Sequence, residues 1–155
     1  MGERSPWWNT KARGAFVGMS AETSRGHMLR AVLEGVAMNL QLIREDITRF
    51  TPLAREINII GGGANGGVWR QIIADVLQTT VRKTVTTYEA TNFGAAIIAA
   101  VGVGLFPNFN AAKSLIKIDS VNKPNPDNAA LYKEKLEVFR NTYLALKPIF
   151  ESIAR

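Results

Sequence analysis

Apolar residues recur at spacings of three and four in the first third of the chain, which is the period of one helix face. They are Met28, Val32, Val36, Leu40, Ile43, Ile47 and Phe50. Ser20, Thr23 and Ser24 are suitable caps for the start of such a helix. Pro52 ends the pattern. The spacing therefore predicts a long helix of roughly 25 residues whose repeated apolar positions form its buried face.

Two short apolar runs have the composition of strands, and they flank a glycine-rich segment. The runs are EINII, from Glu56 to Ile60, and VRKTV, from Val81 to Val85. Between them, five glycines occur in the seven positions from Gly61 to Gly67, and a helix-like run follows. The side of that helix predicted to be buried carries Trp69, Ile72, Ile73, Val76 and Leu77. Because each glycine costs order in the folded state, the cluster requires a local reason, such as a positive φ or a ligand close to the backbone.

The rest of the chain is predicted to be mostly helical. The run FGAAIIAAVGVGLF, from Phe93 to Phe106, is shorter than the roughly 20 apolar residues of a bilayer span, which favours a buried helix. Ala111 to Ile118 predicts a weaker helix, and a short strand is expected at Gly14 to Val17. Asp127 is expected to cap a final helix, which Pro148 kinks. The predicted order is αβαβα followed by further helices. It contains too few strands for a self-contained sheet, so the pattern indicates an incomplete α/β domain.

Composition restricts the class of protein. The chain has 155 residues, of which 46% are hydrophobic and 21% charged, as expected for one soluble globular domain. It contains no cysteine and one histidine, His27, so disulfides, thiolate sites and a zinc site are not expected. The first residues lack the apolar core of a signal peptide. A cytoplasmic location is the simplest expectation.

The net charge of +6 raises the question of a nucleic-acid partner. The basic residues are dispersed along the chain, with no run of five or six like charges, and the aromatic residues do not alternate with them. We therefore expect solvated basic faces, with neither nucleic acid nor a membrane as a partner.

The glycine cluster admits three interpretations. A strand, a glycine-rich turn and a helix form a common phosphate-binding arrangement, because backbone amides and the helix N-terminus face the anion. Gly61, Gly63 and Gly66 also match G-x-G-x-x-G, and Glu89 follows at about the distance of the acid that binds the ribose of a dinucleotide. In the third interpretation the glycines only make a tight turn. The sequence lacks the Gly-Lys-Ser/Thr of a Walker loop.

Four segments occur in an order that resembles the C-terminal domain of the FGGY family of carbohydrate kinases. They are GERSPWWNTKARGAFVGMS, HMLRAVLEGVAMNL, IIGGGANGGVWRQIIADVLQTTV and EATNFGAAIIAAVGVGLF. The resemblance covers essentially all 155 residues. Within the family it is strongest to the xylulose kinases, and gluconate-type and other sugar kinases are alternatives. It implies the C-terminal half of an actin-, hexokinase- and Hsp70-like (ribonuclease H-like) ATPase fold, helix-rich with a small sheet. Residues 1–155 would be this single nucleotide-binding domain, without the N-terminal sugar-binding domain.

The resemblance also implies a chemistry, in which the γ-phosphoryl group of ATP passes with Mg²⁺ to a sugar hydroxyl. The family's glycine loop lies against the nucleotide, which assigns ATP binding to Gly61, Gly62, Gly63, Ala64 and Asn65. The family's catalytic base is an aspartate of the N-terminal domain. No catalytic residue or metal ligand is therefore expected in this chain, and Asp75 is expected to be structural.

Two alternatives belong to other classes. The chain could be a freestanding, non-enzymatic module that binds nucleotide or forms a homodimer, or, with less support, a dinucleotide-binding domain. If it is half of a kinase, we expect it to bind nucleotide weakly and to be inactive by itself. The sugar substrate would then be bound through the missing domain.

Overall fold

The computed structural model describes residues 2–153, which form five α-helices and three β-strands. The helices are α1 (Arg25–Ile47), α2 (Gly67–Leu77), α3 (Ala90–Gly102), α4 (Ala111–Leu115) and α5 (Ala129–Ile153). The strands are β1 (Glu56–Ile59), β2 (Thr80–Thr84) and β3 (Ile118–Asn122). They group into two compact units. The helical unit comprises the chain up to Leu53, Asp75–Gln78 and the chain from Asn125 onward, and the sheet unit comprises Ala54–Ala74 and Thr79–Pro124.

Helix α1 of the helical unit confirms the predicted long helix and its start. Ser24 is the N-cap, and its hydroxyl accepts a hydrogen bond from the His27 amide at 3.2 Å. The His27 imidazole accepts one in return from the Ser24 amide at 3.3 Å, which completes a capping box. The helix has 23 residues and ends at Ile47, before Pro52. Its lone histidine therefore has a local structural role.

The predicted buried face of α1 is wrong in part. Val32 and Val36 are 51% and 49% exposed, whereas Ala37, Met38 and Leu42 are buried. Gly35 lies on the side of α1 that packs on α5, since an ideal Cβ there would lie 3.8 Å from the Phe139 ring.

The final helix of the helical unit starts differently from the prediction. Asn125, not Asp127, provides the capping side chain, since its Oδ1 accepts a hydrogen bond from the Asp127 amide at 3.0 Å. A 3₁₀ turn (Pro126–Asn128) then leads into α5. Asp75 is buried and accepts hydrogen bonds from the Asn125 amide at 2.8 Å and from the Asn128 side chain at 2.9 Å. Its contacts are those of a structural residue that fixes the start of this helix.

The N-terminal segment packs in the helical unit without forming the strand expected at Gly14 to Val17, which is wrong. The described part of the chain offers those residues no pairing partner, and Phe16 and Val17 are 48% and 65% exposed. The ordered part of the segment lies earlier. The Trp7 ring stacks on Tyr143 with ring centroids 3.7 Å apart and planes inclined by 8°, and Asn9 donates a hydrogen bond to the Tyr143 hydroxyl at 3.0 Å.

The sheet unit is built on three strands in the order β1-β2-β3. Strands β1 and β2 are parallel, with Ile57 opposite Val81, and β2 and β3 are antiparallel. Both predicted strands are confirmed. The prediction of a helix from Ala111 to Ile118 is confirmed only for its first part, because α4 is short and Ile118 begins β3. Helix α3 is confirmed, but its predicted burial is wrong, since only Ile97 among its residues is buried.

Candidate functional site

The glycine-rich segment leaves the sheet at the end of β1 through a conformation that only glycine adopts easily. Gly61 has φ 79° and ψ −177°, a region that is essentially restricted to glycine. Its amide donates a hydrogen bond to the Thr87 carbonyl at 2.9 Å. A 3₁₀ turn (Gly62–Asn65) follows, which the Ala64 amide closes by donating to the Gly61 carbonyl at 3.1 Å. The need for a positive φ is therefore met at Gly61.

The first two residues of this turn have amides without an acceptor inside the turn. Gly62 and Gly63 are the first residues of the 3₁₀ turn, where the amides have no acceptor within the turn, and both residues are exposed. Helix α2 begins at Gly67, and its first hydrogen bond runs from the Arg70 amide to the Gly66 carbonyl at 3.0 Å. The turn and the N-terminus of α2 together give this face partial positive charge suited to an anion.

Two of the glycines are explained by packing. An ideal Cβ on Gly63 would lie 3.2 Å from the indole nitrogen of Trp69, and one on Gly66 would lie 3.2 Å from the Trp69 Cβ. The half-buried Trp69 side chain thus lies against the backbone where side chains are missing. The packing interpretation of the cluster therefore accounts for Gly63 and Gly66, and the positive φ accounts for Gly61. Gly62 and Gly67 have neither explanation, because a Cβ would meet nothing closer than 3.9 Å at Gly62 and 3.8 Å at Gly67.

Arg70 ties the turn to the sheet. Its guanidinium donates one hydrogen bond to the Ala64 carbonyl and another, from Nε, to Asn122 Oδ1 at 2.9 Å. Ala64 itself is fully buried, so the turn is anchored from beneath while its glycines remain exposed. Asn122 is the last residue of β3, a strand absent from the sequence prediction. Arg70 was consequently not recognisable as a residue of this site from the sequence.

Tyr88 is a second residue of the site that the sequence prediction missed. The Asn65 side chain donates a hydrogen bond to the Tyr88 hydroxyl at 2.8 Å, across 23 positions of the chain. The Tyr88 ring also faces Gly62, whose ideal Cβ would lie 3.9 Å from its Cε1. The five predicted residues, Gly61 to Asn65, therefore form one continuous turn, and Thr87, Tyr88, Trp69 and Arg70 support it. The only sequence signal for Tyr88 was its position between a strand and a helix.

The geometry argues against a dinucleotide site. In that class the acid that binds the ribose closes the second strand. Here β2 ends at Thr84, whereas Glu89 lies five positions later as the N-cap of α3. The third strand is antiparallel to β2, whereas the dinucleotide fold extends its sheet with parallel strands.

The residues of the glycine turn can be compared with what a metal ion requires. Among residues 2–153 no group of three or more His, Cys, Asp or Glu side chains is placed to hold an ion. The glycine turn contributes only backbone groups and the Asn65 amide. Mg²⁺ usually takes one or two carboxylates together with substrate phosphates and water, and the turn supplies none of the carboxylates. A magnesium ion does not fit these residues alone.

Comparison with known proteins identifies the class to which this fold and loop belong. The model of the C-terminal domain of the FGGY family of carbohydrate kinases matches residues 1–103. The chain belongs to this family, as predicted. It has the actin- and hexokinase-like fold of these kinases in a helix-rich form with a three-stranded sheet, which confirms the predicted fold class.

Two curated relatives illustrate the similarity in sequence. The chain is 32% identical over 149 residues to a xylulose kinase of Staphylococcus epidermidis, covering 96% of the chain and 30% of the relative. It is 33% identical over 155 residues to a gluconokinase of Bacillus subtilis, covering 99% of the chain and 30% of the relative. The chain thus spans about 30% of the length of the curated relatives it matches.

Solved structures agree with this family. A ligand-bound xylulose kinase from Lactobacillus acidophilus superposes with a TM-score of 0.89 at 27% identity, over 97% of this chain and 31% of that one. A Plasmodium falciparum glycerol kinase solved with ADP superposes with a TM-score of 0.76 at 27% identity, over 93% of this chain and 28% of that one.

No helix within residues 2–153 is both long and apolar enough to cross a membrane.

Proposed function

We propose that this chain is the ATP-binding half of a sugar kinase, and that the nucleotide binds at Gly61, Gly62, Gly63, Ala64 and Asn65. The observation that carries the proposal is the pair of exposed residues Gly62 and Gly63, whose amides have no acceptor within the turn that Arg70 and Tyr88 hold in place. Gly62 lacks a packing reason to be glycine, which supports close approach by a ligand. The structural relative solved with ADP supports an adenine nucleotide.

The proposed reaction of the parent kinase is transfer of the γ-phosphoryl group of ATP to a hydroxyl of D-xylulose, which gives D-xylulose 5-phosphate and ADP. The xylulose kinases among the relatives support this sugar, although a gluconokinase is equally similar. Catalysis of phosphoryl transfer depends on positioning, on charge neutralisation and on a base for the attacking hydroxyl. We propose that the turn contributes positioning of the nucleotide. Mg²⁺ would arrive with the nucleotide, held by its phosphates.

The sugar site and the catalytic base are proposed to lie in a separate N-terminal domain, with residues 1–155 as a single nucleotide-binding domain. Asp75, which the sequence places near the glycine loop, is occupied by hydrogen bonds to Asn125 and Asn128. The purified 155-residue chain should therefore bind ATP weakly and should not phosphorylate xylulose. Formation of xylulose 5-phosphate by this chain, above a blank free of kinase, would contradict the division of labour.

A nuclear magnetic resonance titration tests the nucleotide site itself. ATP should shift the backbone amide signals of Gly61 to Asn65 before those of other glycines. Gly62→Asp should weaken ATP binding at least about tenfold, or ~1.4 kcal/mol, because it places a carboxylate where phosphate approaches. Gly14→Asp is the matched control, since Gly14 is also exposed and its Cβ would meet nothing within 4 Å. Equal affinities in the two variants would refute the site.

A specific observation keeps the dimerisation module as a second candidate. The helical unit has an apolar groove of about 1050 Å³ along α1 and α5. Its lining includes Val32 and Val36 from α1 and Leu131 and Val138 from α5, which are 49% to 60% exposed. Exposed apolar surface of this kind marks interaction sites, and we propose a second copy of this chain as its occupant.

The proposed setting is the cytoplasm, in keeping with a sequence that has no cysteine. The proposed partners are ATP and, through the other domain, the sugar, with neither nucleic acid nor a membrane. A fluorescence titration separates the kinase from the dinucleotide alternative. ATP should bind more tightly than NADH, and the reverse order would favour the dinucleotide-binding domain.

A further inference from the structure

Tyr88 is a large aromatic residue that is held in place and yet left open to solvent. Its side chain is 71% exposed, although its hydroxyl accepts a hydrogen bond from Asn65 at 2.8 Å. The preceding residue, Thr87, is buried, and its carbonyl accepts the Gly61 amide at 2.9 Å. Thr87 and Tyr88 are therefore each joined to the glycine turn by a hydrogen bond.

The ring lies beside the part of the turn that is open to a ligand. Its Cε1 would be 3.9 Å from a Cβ on Gly62, which is ordinary van der Waals contact. Gly62 is exposed, and its amide is one of the two that have no acceptor within the turn. A polar anion-binding backbone and a flat apolar surface thus adjoin each other. These two surfaces match the two ends of a nucleotide, which carries phosphates at one end and a planar base at the other.

We propose that Tyr88 contacts the base of the nucleotide, with its ring against the purine while the amides of Gly62 and Gly63 take the phosphate chain. This inference rests on the proposed function of the glycine turn and names the residue that determines the preference for a nucleoside triphosphate over a bare phosphate chain. Stacking of a base on an aromatic side chain is favourable for every base, because each has a π-face.

Trp69 is the other aromatic residue close to the turn, and its surroundings argue against the same role. The Trp69 ring is half-buried, and it fills the space left by the missing side chains of Gly63 and Gly66. The Trp69 ring therefore has less free surface for a base than the Tyr88 ring, which is 71% exposed. Because of this exposure, a base can contact the Tyr88 ring without a change in packing.

The test compares two ligands on the intact 155-residue chain by calorimetry and amide shifts. ATP carries a base, whereas inorganic tripolyphosphate carries the same anionic chain without one. Tyr88→Leu should weaken ATP binding by about 5- to 150-fold, the range for loss of one stacked base, and should leave tripolyphosphate binding unchanged. Tyr88→Phe keeps the ring and should stay within about threefold of the wild-type ATP affinity. Phe109→Leu is the control, since Phe109 is a comparably exposed aromatic residue (58%) of the sheet unit.

Each other result overturns the inference. If ATP binding by Tyr88→Leu matches that of the wild-type chain, the ring does not contact the base. If ATP and tripolyphosphate lose affinity equally, Tyr88 only supports the turn. These two results leave the proposed function intact, because ATP still binds at the turn of the wild-type chain. If ATP shifts no amide between Gly61 and Asn65 in the wild-type chain, the proposed function fails, and the role of Tyr88 fails with it.

Discussion

Gly61 and Gly94 lie in different backbone conformations. Substitution by alanine should therefore have opposite effects on stability at the two positions. Gly61 has φ 79°, and a Cβ added there would meet nothing within 4 Å. Its glycine is required by backbone conformation alone. Gly94 lies inside helix α3 without a positive φ, and a Cβ there would also meet nothing within 4 Å. Since both sites have room, the backbone decides the outcome at each.

Gly61→Ala should lower the free energy of unfolding by about 1–3 kcal/mol, because alanine is strained in this region. Gly94→Ala should raise it by about 0.5–1 kcal/mol, because alanine is a better helix residue than glycine. Urea unfolding of the two variants beside the wild-type chain measures both effects. A neutral result at Gly61 would show that the turn relaxes to another conformation when no ligand is bound.

At the scale of the elements, β3 is held to β2 by a charged pair that should make the stability of the sheet unit depend on pH. The Lys83 ammonium lies 2.9 Å from the Asp119 carboxylate. Its hydrogen bond and charge hold the pKa of Asp119 below the usual value of a carboxyl group. Because the pKa is lower in the folded chain, the pair stabilises it above the ordinary pKa of about 3.9. This contribution is lost as the pH falls through the lowered pKa.

Asp119→Asn should therefore be less stable than the wild-type chain near pH 6, and the difference should shrink as the pH falls below about 4. Lys83→Met should remove the same pH dependence, and the double variant should show no further loss. Urea unfolding at a series of pH values measures this. A constant difference between wild-type chain and Asp119→Asn across the series would exclude the pair as its cause.

Elements defined by local pattern could be predicted from the sequence, and those defined by distant partners could not. Helix α1 has its cap and period in its own residues, and β1 and β2 are short apolar runs. Strand β3 contains Asp119, Ser120 and Asn122, which resemble a loop until pairing with β2 gives them a place. The predicted burial of α3 was wrong for a related reason. Its small apolar residues favour a helix, but they do not specify which elements pack against it.

The candidate site divides along the same line. The five residues of the turn were predicted because a glycine cluster is visible in the sequence and matches a family motif. Their supports were not, because Arg70 and Tyr88 act through contacts that span 6 to 52 positions along the chain. Arg70 lies three positions after the glycine cluster and Tyr88 lies between a strand and a helix, but neither position specifies a hydrogen bond to the turn.

At the scale of the whole molecule, the apolar groove of the helical unit bears on self-association. Charged residues of both signs, among them Arg13, Glu134 and Lys135, lie along its lining. Opposite charges on one face can pair with those of an identical face across a two-fold axis, which makes the face self-complementary. The apolar residues between them supply the driving force for burial.

Sedimentation equilibrium of the purified chain should show a monomer–dimer equilibrium. Val36→Glu should shift it toward monomer, because it places a charge within the apolar groove. Val103→Glu is the control, since Val103 is 82% exposed and belongs to the sheet unit. A wild-type chain that stays monomeric at millimolar concentration would rule out the groove as a homodimer interface.

The double attachment of Arg70 has a consequence for sequence divergence. One guanidinium joins the carbonyl of Ala64 to the side chain of Asn122, 52 positions further along the chain. Replacing Arg70 removes the donor that Asn122 Oδ1 accepts from, and replacing Asn122 removes the acceptor of Arg70 Nε. Positions 70 and 122 should therefore covary among natural homologues, and lineages that lose the arginine should also have lost the asparagine.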